Sequence, residues 1–255
     1  SSSGPSEAHI LERQKSHSER DYVAAGAHAR CDSAQRFEHR MREELAAGGN
    51  TQAKAGRYLH LRDPRDVTVA IKTFSRQQRW QPALGVLAEM QDQALELDVI
   101  SCSAASSACE KGLKWEMAFG MLGEMAKHEV EPSVISCNIA TSACEKGEQW
   151  EQALAILSMR QVRYIEANTI SYNAIISACE KCMQWDKALA LLSSMPRRVL
   201  ELSVITYSAS ISACEKGEQW QQALGVLAEM QRCELKPNAI SYNAAISACE
   251  KGKQS

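Results

Sequence analysis

Five tryptophans, Trp80, Trp115, Trp150, Trp185 and Trp220, follow one another at a constant interval of 35 residues. An interval of that length, held without slippage, means that each copy is one small supersecondary unit stacked on the next. The surrounding residues repeat as well: ISYNAIISACEKCMQW at 170–185 returns as ITYSASISACEKGEQW at 205–220. In this phase the complete units are 64–98, 99–133, 134–168, 169–203 and 204–238, and 239–255 is a partial sixth. The first unit diverges at its start, but Ala70, Ile71, Trp80, Ala83, Leu84, Leu87 and Met90 keep the register.

Each unit reads as two helices. In 169–203, Ser171 is expected to cap the first helix. Tyr172, Ile175, Ile176 and Cys179 then form one apolar stripe at helical spacing. Lys181 closes the helix with a charge that suits its C-terminal dipole. Gly112, Gly147, Gly217 and Gly252 follow as expected C′ residues, with Cys182 in their place in one unit. The second helix starts near the tryptophan, and Trp220, Ala223, Leu224, Leu227 and Met230 fall on one face. Pro82 suits a first turn. Pro132 and Pro237 lie past helix ends, and Pro196, followed by Arg197 and Arg198, should end its helix early. Only 5% aromatic residues, 13 glycines and 6 prolines fit helices better than a β-sandwich or barrel. A helical pair this short cannot bury its faces alone, so the predicted fold is all-α, an α-solenoid of helix-turn-helix repeats.

Residues 1–63 do not repeat and carry 10 basic and 9 acidic side chains. Segment 1–47 reads as partly helical or disordered, with Tyr22, Val23, Phe37, Met41 and Leu45 as weak anchors. Segment 48–63, containing GGNTQAKAGR, reads as a linker. The stretch is too acidic for a transit peptide. The chain begins at Ser1 and stops in mid-pattern at Ser255, so a longer parent protein is expected.

The 35-residue unit opens V-I-S-x-N and closes its first helix with C-E-K-G; over 64–255 it resembles the pentatricopeptide repeat. The tetratricopeptide repeat runs ~34 residues with its tryptophan in the first helix, whereas here the tryptophan opens the second. The resemblance implies a right-handed superhelix whose first helices line the concave face and read single-stranded RNA, one base per unit. It places base recognition on the fifth residues, Thr68, Ser103, Asn138, Asn173, Ser208 and Asn243. The last residues of the units, Asp98, Ser133, Asn168, Ser203 and Asn238, share that role. Ile100, Ile135, Ile170, Ile205 and Ile240 would wedge between bases, while Arg65 stands at that place in the first unit. Arg76, Lys111, Lys146, Lys181, Lys216 and Lys251 would meet phosphates. The family's pairings read Thr68 with Asp98 as guanine, and Asn138 with Asn168 as a pyrimidine. Asn173 with Ser203 reads as a second pyrimidine and Ser208 with Asn238 as adenine; Ser103 with Ser133 is uninformative. The implied strand is 5′-G-N-Y-Y-A-3′. The resemblance also implies work on transcripts in a chloroplast or mitochondrion: processing, editing, stability or translation. A protein-interaction scaffold is the alternative, since any solenoid offers a groove.

Charge does not advertise this partner. The chain has a net charge of −2, and from residue 64 onward 19 basic residues face 22 acidic ones. Binding is therefore expected to be modest, salt-sensitive and carried by local pattern. The lysine column, each member beside a glutamate, reads either as a phosphate stripe or as solvated helix ends. The column Cys109, Cys144, Cys179, Cys214 and Cys249 sits beside alanines and reads as a packing seam rather than a metal site, despite Cys179-x₂-Cys182. The tryptophans read as core rather than base-stacking groups. His128 is alone in the array, and the other histidines lack metal-ligand spacing. Neither a zinc-deaminase signature nor a nuclease's clustered aspartates is present, so no enzyme, cofactor, metal or small-molecule substrate is expected. No apolar run reaches the ~20 residues needed to span a bilayer. A partial sixth unit would leave its packing face open, so self-association or marginal solubility is expected.

Overall fold

A computed structural model describes residues 64–92, 96–196 and 200–252. The expectations for 1–63, for Arg197 and Arg198, and for the Arg65 side chain lie outside the described residues. Among these residues there are eleven helices and no strand. The first helices of the units are α1 (Pro64–Arg76), α3 (Val99–Lys111), α5 (Val134–Lys146), α7 (Thr169–Lys181), α9 (Val204–Lys216) and α11 (Ala239–Gly252). The second helices are α2 (Trp80–Asp92), α4 (Trp115–Lys127), α6 (Trp150–Val162), α8 (Trp185–Ser194) and α10 (Trp220–Arg232). Pro196 does shorten its helix: α8 has 10 residues where its counterparts have 13.

Each first helix from α3 to α9 packs against the first helices before and after it and against two second helices. The second helices make their extensive contacts with first helices only. A row that packs tightly beside one that is spread apart forms the inner row of a curved stack. The first helices therefore line the concave side of an α-solenoid.

The helix starts differ from expectation by three residues. The N-cap of α7 is Asn168, whose Oδ1 accepts from the Ser171 amide at 3.0 Å; Ser171 is the third helical residue. Asp98, Ser133 and Ser203 cap α3, α5 and α9 in the same way. Both residue types are good caps; the cap belongs to the residue whose backbone is still extended, and at Asn168 ψ is 172°.

The glycines also serve a different purpose. Gly112, Gly147 and Gly217 have ordinary negative φ, and the left-handed residue of each turn is the one after it: Leu113, Glu148 and Glu218, with φ of 56–57°. What the glycine supplies is space. A Cβ on Gly112, Gly147 or Gly217 would overlap the indole of Trp80, Trp115 or Trp185, the tryptophan of the preceding unit. Trp80, Trp115 and Trp185 are accordingly half-buried lids over the next unit's glycine, not members of the innermost core. We expect Gly217→Ala to cost ~1–3 kcal/mol in a urea unfolding curve, because an indole ring wedged against the core moves only by disturbing its neighbours. A cost below about 0.5 kcal/mol would show that the ring yields freely.

The apolar stripe of the first helix behaves as expected: Tyr172, Ile175, Ile176 and Cys179 are all buried. So are Cys109, Cys144 and Cys214, and burial pushes the Cys109 and Cys144 thiols up to about 12. They are protonated packing groups at neutral pH. In the second helix the expectation holds for Ala83, Leu84, Leu87 and Met90, all buried in α2. In α10 it holds for Ala223 and Met230, whereas Leu224 is exposed and Val226 is buried instead. No second helix follows α11 among the described residues to lie across that face.

Candidate nucleic-acid interface

The last residue of each unit caps the next first helix, so its side chain sits at the inner edge of the stack. The structure links it to the fifth residue through the third residue of the following unit, a position where the sequence pointed only to a helix cap, at Ser171. Asn173 Oδ1 accepts from Thr206 Oγ1 at 2.7 Å, and Thr206 is bridged to Ser203 at 2.9 Å. Ser208 Oγ lies 2.8 Å from Ser241 Oγ, which donates to Asn238 Oδ1 at 2.9 Å. Thr68 Oγ1 lies 3.0 Å from Ser101 Oγ, which donates to Asp98. Ser171 Oγ joins Asn138 Oδ1 at 2.6 Å and Asn168 Oδ1 at 2.8 Å. The fifth and last residues are thus brought together in four units. In the unit 99–133, Ser136 bridges to Ser133 at 3.3 Å, but the buried Ser103 Oγ has no hydrogen-bond partner among the described residues. Asn243 is exposed, with no following unit among the described residues.

The isoleucine column stands beside these pairs and takes no part in the core. Ile100, Ile135, Ile170, Ile205 and Ile240 are between 53% and 69% exposed. The second position of a helix faces outward here because the third and fourth are buried: Ser136 and Cys137 in α5, Ser171 and Tyr172 in α7. An open groove of about 500 Å³ brings several of these positions together. It is lined by Ile100 and Ile135, by Ser103 and Ser133, and by Arg76 and Lys111.

The lysines are not free cations. Lys146 Nζ lies 2.9 Å from Glu110, Lys181 3.1 Å from Glu145, Lys216 3.1 Å from Glu180 and Lys251 2.9 Å from Glu215. Each glutamate belongs to the preceding unit, so the column is a ladder of ion pairs stitching neighbours together. Serines strengthen it: Ser142 donates to Glu110 at 2.8 Å and Ser177 to Glu145 at 2.9 Å. Lys111 donates instead to the Ser75 carbonyl at 3.3 Å. Burial raises the Glu215 carboxyl, but hydrogen bonds from Lys251 and Ser247 outweigh it and hold the group below the ordinary range. Cys182 donates to the Glu148 carbonyl at 3.1 Å, and no cluster of three metal-ligating side chains exists among the described residues.

The PPR repeat family matches residues 167–216 and 203–251, and the pentatricopeptide repeat domain matches 85–147, together more than half of the sequence. The chain belongs to the pentatricopeptide-repeat family. No curated protein matches this pentatricopeptide-repeat chain. Its fold recurs in the pentatricopeptide repeat protein PPR10 from maize, solved in complex with an 18-nt PSAJ RNA element. There the TM-score is 0.62 at 20% identity, over 74% of this chain and 28% of that one. Nuclear proteinaceous RNase P 2 of A. thaliana gives a TM-score of 0.66 at 12% identity, over 75% of this chain and 43% of that one. The PPR domain of Arabidopsis thaliana protein-only RNase P 1, in complex with tRNA, gives 0.60 at 13% identity, over 73% and 96%. At such identities the likeness is one of fold, and this chain spans little more than a quarter of the PPR10 chain.

Proposed function

We propose that this chain is a single-stranded RNA-binding module that reads about one base per unit along its first helices. It does so as a recognition surface rather than a catalyst, in RNA processing, editing, stability or translation in a chloroplast or mitochondrion. The observation that carries this reading is the exposed isoleucine column. Five β-branched apolar side chains at 35-residue intervals are held out of the core beside a row of paired hydroxyls, amides and a carboxylate. Flat apolar bases fit between such side chains, and their edges meet the polar pairs. The RNA held by PPR10 and by the PPR domain of RNase P 1 supports the same use of this fold.

The lysine ladder sets the expected strength. Paired lysines offer less to a phosphate than free ones, so affinity comes from stacking and edge contacts, with a shallow electrostatic contribution. We expect the chain to prefer single-stranded RNA containing GNYYA over a scrambled strand and over duplex RNA, measured by fluorescence anisotropy across a salt series. Absence of binding at low salt would overturn the reading and favour a protein-interaction scaffold.

A further inference from the structure

One residue breaks the pattern of the second helices. Met90, Met125, Met195 and Met230 fill the same buried register in four units, and the unit 134–168 has Arg160 there, 1% exposed. A buried guanidinium is costly unless its hydrogens are used. No carboxylate pairs with Arg160 among the described residues; its partners are neutral oxygens. Nη1 donates to Asn138 Oδ1 at 2.8 Å and to Ser171 Oγ at 2.7 Å, and Nη2 donates to the Glu166 carbonyl. Arg160 thereby reaches from the core to the fifth residue of its own unit.

A guanidinium has donors only. The atom of Asn138 that faces it must be the oxygen, because a flipped amide would set N–H against N–H. The Asn138 amide is therefore fixed in one sense, with its Nδ2 hydrogens left for the groove. No other fifth-position amide among the described residues is constrained in this way. Asn173 faces the Thr206 hydroxyl, and Thr68 and Ser208 face serine hydroxyls. The Thr206 hydroxyl can donate or accept, so Asn173 presents either polarity to a base. Ser101 and Ser241 already donate to Asp98 and Asn238 and leave Thr68 and Ser208 to donate inward.

We propose that Arg160 is a positioning residue that locks Asn138 with its donor outward, so that the unit 134–168 discriminates its base more sharply than the unit 169–203. The base it selects offers a carbonyl acceptor at the contacted edge, as both pyrimidines and guanine do and adenine does not. This rests on the RNA-binding reading above.

The test is Arg160→Met, which restores the residue of the other four units and so keeps the packing volume. Competition binding measures preference for uracil over adenine at the base opposite 134–168, and separately at the next base. The expected result is a loss of about tenfold in discrimination at the first base, the worth of one directed hydrogen bond, with the next base unaffected and the far-ultraviolet circular dichroism unchanged. Arg160→Lys, still donor-only, should recover part of the discrimination; a purely structural arginine would not produce that pattern. Unchanged discrimination in an Arg160→Met chain that binds RNA overturns the lock alone. A parent chain that binds no RNA overturns the RNA reading and the lock together.

Discussion

Replacing Ile135, Ile170 and Ile205 together by alanine should weaken single-stranded RNA binding by ~100-fold while leaving the fold as stable as before. The two halves of this expectation come from the same exposure. Each side chain is more than 60% exposed and contributes little to the core. Surface substitutions of this kind shift stability by no more than about 0.5 kcal/mol each, and alanine is the better helix former. A base lying against an isoleucine re-buries part of that side chain. Full burial of such a group is worth ~1.5–3 kcal/mol, so partial burial against a base is worth about 1 kcal/mol. Three wedges sum to ~3 kcal/mol, which is about two orders of magnitude in affinity. Urea unfolding and RNA anisotropy on the same samples separate the two effects. Equal affinity for the triple variant would show that bases do not sit between the isoleucines, and would remove the main support for RNA recognition on this face.

Much of this architecture was legible from a single column. The tryptophan interval set the number of units, and helix ends then fell where lysine follows glutamate: every first helix from α3 to α9 closes on Lys111, Lys146, Lys181 or Lys216. Where the reading went astray, two residues of similar local chemistry competed. Asn168 and Ser171 are both good caps, and sequence alone does not say which backbone is extended. Glycine after C-E-K suggested a left-handed turn, the usual reason for glycine there. Its actual reason is an indole arriving from 32 residues earlier, as Trp80 does on Gly112. That contact exists only once units are stacked. The pairing of lysine with the previous unit's glutamate is likewise invisible along the chain, because it spans 36 residues, from Glu110 to Lys146. Arg160 could have been noticed: a charged residue standing in a column of Met90, Met125, Met195 and Met230 at a buried register is a visible anomaly. What it grips, Asn138 and Ser171, required the structure.

Neutralising the ladder from its acidic side should strengthen RNA binding, by about tenfold for Glu110→Gln, Glu145→Gln and Glu180→Gln combined. In the folded chain Lys146, Lys181 and Lys216 are committed to these carboxylates at 2.9–3.1 Å. A phosphate that recruits them must first compete with a pair worth ~0–1 kcal/mol each. Glutamine keeps the shape and still accepts from the Ser142 and Ser177 hydroxyls, but it leaves the lysine charge unspent. The salt dependence should change with the affinity: three additional phosphate contacts steepen the logarithmic slope by about 2. Acid is a poor substitute for the substitutions. Glu215, whose carboxyl the structure holds below the ordinary range, contributes its pairing stability above that range and loses it only as pH falls through the depressed value. The fourth rung is therefore closed at neutral pH and opens only in acid. The cost of the triple substitution should show as a lower urea midpoint, since each rung also joins two units. If stability falls and affinity does not rise, the lysines are staples between units and the RNA backbone passes elsewhere. If affinity rises with the steeper slope, the same side chains serve both purposes: they hold the stack together when it is empty, and exchange carboxylate for phosphate as the strand enters.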